Sequence, residues 1–160
     1  MRETPSTTPP APGAVPLHPP AATLDPLLGG RVRLFQPSRG YRAAIDPVLL
    51  AAAVGAAAGE RVLDAGCGTG AASLCLAARL PELAIVGIER DPEALRLARA
   101  SVELAGFASR IRLVEGDLVA PPADLRREPF DWVMSNPPFL EPGRARAPAA
   151  SRAASTGSES

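Results

Sequence analysis

The chain contains no lysine: all 17 of its basic residues are arginine, and 17 acids balance them to a formal net charge of zero. That balance excludes the strong overall positive field of a protein built to coat polyanions. Charge is still concentrated locally, where Arg31, Arg33, Arg39 and Arg42 fall close together. Aromatic residues make up only 4% of the chain, so a core must be assembled from aliphatic side chains and alanine. Two cysteines, Cys67 and Cys75, form no CxxC pair and have no histidine nearby, which argues against a metal site or a disulfide framework and for reduced thiols. The one histidine, His18, stands in a proline-rich stretch outside any catalytic pattern. No apolar run approaches the roughly 20 residues that span a bilayer, and no apolar segment follows a charged start as in a secretory leader. The expected setting is cytoplasmic, with neither membrane nor metal as a partner.

Hydrophobic residues nevertheless make up 46% of the 160, enough for one domain with a real core. The composition divides the chain. Residues 1–22 are rich in Pro, Ala and Thr and read as a disordered, partly polyproline-like tail. Residues 23–142 carry the patterned sequence, and residues 143–160, with nothing apolar larger than Ala, read as a second disordered tail.

Within the patterned part, alternation in Arg31-Val32-Arg33-Leu34 predicts an extended segment. Asp46-Pro47 predicts a helix start, with Asp46 as the cap, and the helix is expected to run through Ala58 to a stop at Gly59. A strand–helix rhythm follows. Strands are expected at 61–65, 84–88, 111–114 and 130–134. Helices are expected at about 70–80 and after Asp91-Pro92, where Leu95, Ala98, Val102 and Ala105 recur at three- and four-residue steps. Residues 121–125 allow only a short helix or a loop. Strands separated by helices imply an α/β fold with a parallel sheet and right-handed crossovers.

The chemistry gathers at the ends of these strands. In Asp64-Ala65-Gly66-Cys67-Gly68-Thr69-Gly70 a strand ends in an acid, and three glycines at alternate positions lead into a helix. Glycines there permit positive φ and let a ligand approach bare backbone, while the helix start presents free N–H groups. Taken alone, such a turn is equally the signature of a plain tight connection. Glu89 ends the second strand, where an acid can accept both ribose hydroxyl hydrogens of a nucleoside. Asp117 follows the third strand, where it can accept from the amino group of an adenine. Three matching strand ends in succession point to an adenosine-bearing ligand.

With these residues the sequence resembles the class I S-adenosylmethionine-dependent methyltransferases, over roughly residues 30–145. The resemblance implies a Rossmann-like, doubly wound, mostly parallel sheet, with S-adenosyl-L-methionine as cofactor. It assigns the methionine part to the loop Asp64–Gly70 (Asp64, Gly66, Gly68, Gly70), the ribose to Glu89 and the adenine amino group to Asp117. After the fourth strand, Asn136-Pro137-Pro138-Phe139 matches the family signature for methylating planar amino or amide nitrogens. In that reading the Asn136 side-chain oxygen and the Pro137 carbonyl accept the two hydrogens of an exocyclic amine, directing its lone pair at the methyl donor. Pro138 stiffens the backbone and Phe139 stacks on the extruded base. The stretch Phe35–Arg42 with Asp46–Leu50 looks like the corresponding region of bacterial tRNA adenine methyltransferases, and would set Tyr41 and Asp46 over the cofactor pocket. The resemblance thus implies a tRNA substrate. Release-factor glutamine methyltransferases and ribosomal guanine methyltransferases share the same motif and remain alternatives.

The chain departs from that family in length. A full domain of this kind has about seven strands, and only the first four are legible here. The sequence therefore reads as a chain cut short, with Phe130–Met134 expected as an apolar sheet edge. A cofactor-binding piece without activity is the third alternative.

Overall fold

The computed structural model of the protein describes residue 19 and residues 21–40 and 42–137. The two expected tails fall almost wholly outside those residues.

The alternation around Val32 does produce a strand, but as one arm of a hairpin. β1 (Ala22–Leu27) and β2 (Val32–Pro37) pair antiparallel, from Ala22 opposite Pro37 to Leu27 opposite Val32. β1 carries Asp25 and Pro26 within six residues, which breaks any alternation and hides the strand from a reading of pattern. A proline is tolerated there because, among the described residues, β1 bonds to β2 alone and leaves its other edge unpaired. The hairpin buries Val32 and Leu34 of one face in the main core and Phe35 of the other face against Leu97 and Ala100 of the third helix.

The first helix differs from expectation at both ends. α1 covers Asp46–Ala53, with Ile45 at the N-cap and Asp46 already inside the helix as its first residue. No side chain caps it. It stops at Ala53 rather than continuing to Ala58, because Val54 turns to an extended conformation (φ −70°, ψ 115°). Arg79 secures that early end: its guanidinium donates to the Ala51 carbonyl at 3.1 Å and to the Val54 carbonyl, two acceptors that a longer helix would have used itself.

The remaining elements follow the predicted rhythm: β3 (Arg61–Ala65), α2 (Ala71–Arg79), β4 (Ala84–Glu89), α3 (Pro92–Leu104), β5 (Ile111–Glu115) and β6 (Trp132–Met134). Asp91 caps α3 by accepting from the Glu93 N–H at 2.9 Å. Between β5 and β6 lies only a 3-10 turn, Leu125–Arg127. The four strands β3 to β6 form one parallel sheet in the order β5-β4-β3-β6.

Side chains alternate across this sheet. Val62, Ile85, Ile111 and Met134 face the layer of Leu74, Leu76 and Val102 from α2 and α3. Val86 and Ile88 face the other way, onto Leu125. α1 packs on α2 and β2 on α3, so the hairpin and first helix form an outer layer on the helical side. Leu34, Leu74, Leu76, Ile88 and Leu95 are fully buried, and each contributes about 1.5–3 kcal/mol relative to exposure.

β6 is shorter than predicted, beginning at Trp132, and the Phe130 ring outside it has its centroid 5.5 Å from the Arg61 guanidinium carbon. Among the described residues β6 is the apolar sheet edge expected: Val133 is 65% exposed and Trp132 is 38% exposed. No helix among the described residues is long and apolar enough to cross a membrane.

Candidate nucleotide-type cofactor site

The strand order carries the first functional consequence. The chain steps outward from β3 to β4 to β5, then returns to the far side of β3 for β6. Connections diverge between β3 and β6, and in open parallel sheets ligands bind beyond the carboxyl ends of strands at such a reversal. A cavity of about 840 Å³ opens there, within the roughly 300–1,000 Å³ of small-ligand pockets.

Its floor is the turn after β3. Gly66, Gly68 and Gly70 have φ of 76°, 55° and 83°, a left-handed geometry that side-chain-bearing residues adopt only with strain. The Gly66 and Cys67 N–H groups both donate to the Ile88 carbonyl at 3.0 Å, which pins the turn to β4. Gly70 then forms the N-cap of α2. Close approach also explains Gly87: a Cβ there would stand 2.8 Å from Cys67 Sγ and 2.9 Å from Leu113 Cδ2.

Asp64 lies under the turn, 1% exposed, and accepts a 2.6 Å hydrogen bond from the Ser73 hydroxyl. Burial pushes its carboxyl up to about 6; hydrogen bonding from Ser73 opposes the shift, and the Glu89 charge adds to it. Burial, then the charges of Asp64 and Glu89, likewise push the Cys67 thiol up, so it is no nucleophile.

Glu89, at the end of β4, already binds backbone. Its Oε1 accepts from the Arg90 and Asp91 N–H groups and its Oε2 from the Gly68 N–H, each at 2.9 Å. A carboxylate offers about four acceptor positions. One therefore remains for a ligand hydroxyl, and a second opens if Gly68 turns its N–H to the ligand. Asp117, exposed after β5, accepts from the Val119 N–H at 2.9 Å through Oδ1. At the end of β6 the Ser135 hydroxyl donates to the Ala65 carbonyl at 2.8 Å, and Asn136 and Pro137 line the same cavity.

Asp64, Gly66, Gly68, Glu89, Asp117, Asn136 and Pro137, remote in sequence, thus share one cavity. Gly70 shapes the turn beneath it. Pro138, Phe139 and Tyr41 lie outside the described residues. Asp46 is exposed, and its neighbour Pro47 supplies the lining.

Other contributors were not singled out from the sequence. Ser73 is one; its sign was a lone hydroxyl in an Ala- and Leu-rich helix. Gln36, 3% exposed, is another. Its side chain accepts from the Ala43 N–H at 2.6 Å, and donates to the Ala43 carbonyl at 3.2 Å and to Asp25 at 2.6 Å. Its signal was a polar residue at the inward position of Val32-Leu34-Gln36. Arg42 reinforces it, bonding Asp25, Thr23 and the Pro37 carbonyl. Pro37 and Ala43, which line the cavity with Arg39, are therefore each held by a side chain, Pro37 by Arg42 and Ala43 by Gln36.

This geometry agrees with what the chain resembles. Residues 44–157 match the model of the methyltransferase small domain. The chain belongs to that family. A tRNA1(Val) (adenine(37)-N6)-methyltransferase of Yersinia pestis (strain Pestoides F) is 40% identical over 101 residues, covering 62% of this chain and 40% of that protein. One from Yersinia pseudotuberculosis serotype O:3 (strain YPIII) matches to the same extent. The chain thus spans well under half the length of these curated relatives. A crystal structure described as a predicted O-methyltransferase from Agrobacterium tumefaciens superposes with a TM-score of 0.52 at 35% identity, over 59% of this chain and 49% of that one. The fold is Rossmann-like, and the family's cofactor is S-adenosyl-L-methionine.

The residues of this methyltransferase domain suit such a group. It has a glycine turn in which side chains would be strained, leading straight into the start of α2. It has a buried carboxylate held close to neutral pH, which a cationic ligand stabilises in its charged form, and an acceptor position left on Glu89.

Proposed function

We propose that this chain carries the cofactor-binding and amine-orienting part of an S-adenosylmethionine-dependent methyltransferase acting on an exocyclic amino nitrogen of a nucleic-acid base, adenine in tRNA. The observation that carries the reading is the meeting of the β3 glycine turn, Glu89, Asp117 and Asn136-Pro137 in one cavity at the strand reversal.

When bound, S-adenosyl-L-methionine supplies a methyl group on a positively charged sulfur. The protein's part is orientation and electrostatics. The glycine turn and the start of α2 receive the amino-acid end, with Asp64 balancing positive charge beneath it. Glu89 accepts from ribose hydroxyls and Asp117 from the adenine amino group. At the mouth, the Asn136 side-chain oxygen and the Pro137 carbonyl accept the two hydrogens of the substrate amine, which turns its lone pair toward the donor. Pro138 and Phe139 complete this motif, as backbone brace and stacking face. The ionised Asp64 destabilises the fold it sits in, and acids kept at such a cost concentrate at functional sites.

A tRNA substrate is supported by the relatives' names and implies a cytoplasmic place of action. Incubation with tritiated donor and either total tRNA or a glutamine-bearing release factor tests the substrate. Label in tRNA that disappears in Asn136→Ala, with S-adenosylhomocysteine affinity retained, is the expected result. Label in the protein alone would reject the nucleic-acid reading, and loss of cofactor affinity in Asn136→Ala would reject the role given to Asn136.

A further inference from the structure

Five carboxylates line the cavity: Asp64, Glu89, Asp91, Glu93 and Asp117. Arg39 and Arg90 are the cations among the described lining residues. Such a lining favours a cationic ligand and repels a polyanion. A polynucleotide that delivers a base to Asn136 therefore needs a fixed positive charge at the mouth.

The arginines clustered in the sequence separate into different tasks. Arg42 is committed to Asp25, Thr23 and the Pro37 carbonyl. Arg31 reaches the Ala78 carbonyl at 3.4 Å. Arg33 is exposed on β2, and the cavity lining does not include it. Arg39 alone of the four lines the cavity, exposed two residues after Pro37, whose carbonyl Arg42 holds. Arg90 is placed differently, at the end of β4 directly after Glu89, with its N–H on that carboxylate.

We propose that Arg39 holds a backbone phosphate of the substrate polynucleotide while its base enters the cavity. An exposed residue at the rim reaches a bulky substrate, whereas a donor lying on the glycine turn is served from the floor. The planar guanidinium donates two parallel N–H bonds to phosphate oxygens. Arg42 holding the Pro37 carbonyl, two residues before Arg39, lowers the entropy lost when that contact forms. The assignment rests on the nucleic-acid reading above and narrows it to one residue and one chemical group.

The test measures binding of an RNA hairpin with an unpaired adenine to the full chain, by fluorescence anisotropy over a salt series without donor. S-adenosylhomocysteine binding is measured separately by calorimetry. Replacing Arg39 by Gln removes one phosphate contact, so the slope of log affinity against log salt should shrink in magnitude by about 0.7–0.9. Hairpin affinity at low salt should fall about tenfold, in line with one lost charge-assisted contact. Arg39→Lys should restore the slope but only part of the affinity, and S-adenosylhomocysteine affinity should be the same in all three proteins. An unchanged slope in Arg39→Gln overturns the proposal. So does a loss of S-adenosylhomocysteine affinity with the slope intact, which would give Arg39 to the donor, and so does a wild-type chain that does not bind the hairpin. Failure of the wild type to bind S-adenosylhomocysteine would count against the methyltransferase reading, while hairpin binding and its salt slope decide the phosphate contact.

Discussion

The Ser73 hydroxyl donates a 2.6 Å hydrogen bond to the Asp64 carboxylate, and the two side chains are 0% and 1% exposed. A residue on α2 thereby holds an ionisable group at the end of β3 in one orientation beneath the glycine turn. Fold stability and site chemistry meet in that pair.

Stability should depend on pH through Asp64. Its folded value of about 6 lies above the ordinary 3.8, mainly because of burial. The folded state then holds the proton more tightly, so the contribution of Asp64 is most favourable below pH 4 and is lost as pH rises through 6. Over that window the change amounts to ~3 kcal/mol. Asp64→Asn does not titrate, so the stability difference between variant and wild type should move toward the variant by that order from pH 4 to pH 7. Urea unfolding at both pH values measures it. A difference that stays constant would mean that Asp64 does not titrate in this range.

Ser73→Ala should destabilise the domain by about 1.5–3 kcal/mol at pH 7.5, the usual worth of a buried hydrogen bond to a charged group. The loss should shrink at pH 4, where Asp64 is protonated and needs the donor less. The same unfolding experiment, run on this variant, reads both values.

Gly87→Ala places a Cβ 2.8 Å from Cys67 Sγ and 3.1 Å from its Cβ. Overpacking of this kind costs about 1–3 kcal/mol. Because Cys67 belongs to the glycine turn proposed to receive the cofactor, the substitution should also weaken S-adenosylhomocysteine binding, seen as a smaller thermal shift on adding ligand. An unaltered ligand shift would show that the turn absorbs the methyl group without moving.

Gln36→Ala removes three hydrogen bonds, two that tie Ala43 to β2 and one that joins β2 to Asp25 of β1. The Ala43 amide should lose protection from hydrogen exchange while the β3 and β4 amides keep theirs. Equal loss across the sheet would indicate global destabilisation in place of local release.

The apolar edge β6 pairs with β3, and its Val133 is 65% exposed. Val133→Lys should lower concentration-dependent association measured by light scattering, with little change in Tm, because a charge on a strand edge opposes edge-to-edge pairing.

The parallel-sheet rhythm and the acids at the strand ends were legible in sequence, because each depends on local chemistry. Apolar runs of four to six residues, glycines requiring positive φ, and Asp91-Pro92 at a helix start act within a few positions of themselves. Two expectations about the first helix failed, and one strand went unread. Asp46 was expected as a cap yet sits inside α1. That helix ends early at Ala53, where Arg79, 25 residues beyond Val54, takes its last carbonyls. β1 was hidden by Pro26 and exists because β2 pairs with it.

The site divides in the same way. Sequence by itself marked the candidate side chains, since Asp64, Glu89 and Asp117 stand at the ends of apolar strands and Asn136 follows another. Only the tertiary structure decided that β6 returns beside β3, which brings Asn136 and Pro137 to the cavity formed by the glycine turn. It also decided that Asp64 is buried on Ser73, that Glu89 already grips three backbone N–H groups, and that Arg39 rather than Arg31, Arg33 or Arg42 reaches the mouth. The physical reason is distance along the chain. Burial, hydrogen-bond partners and shifted acidities come from neighbours tens of residues away, which only strand order and packing bring together.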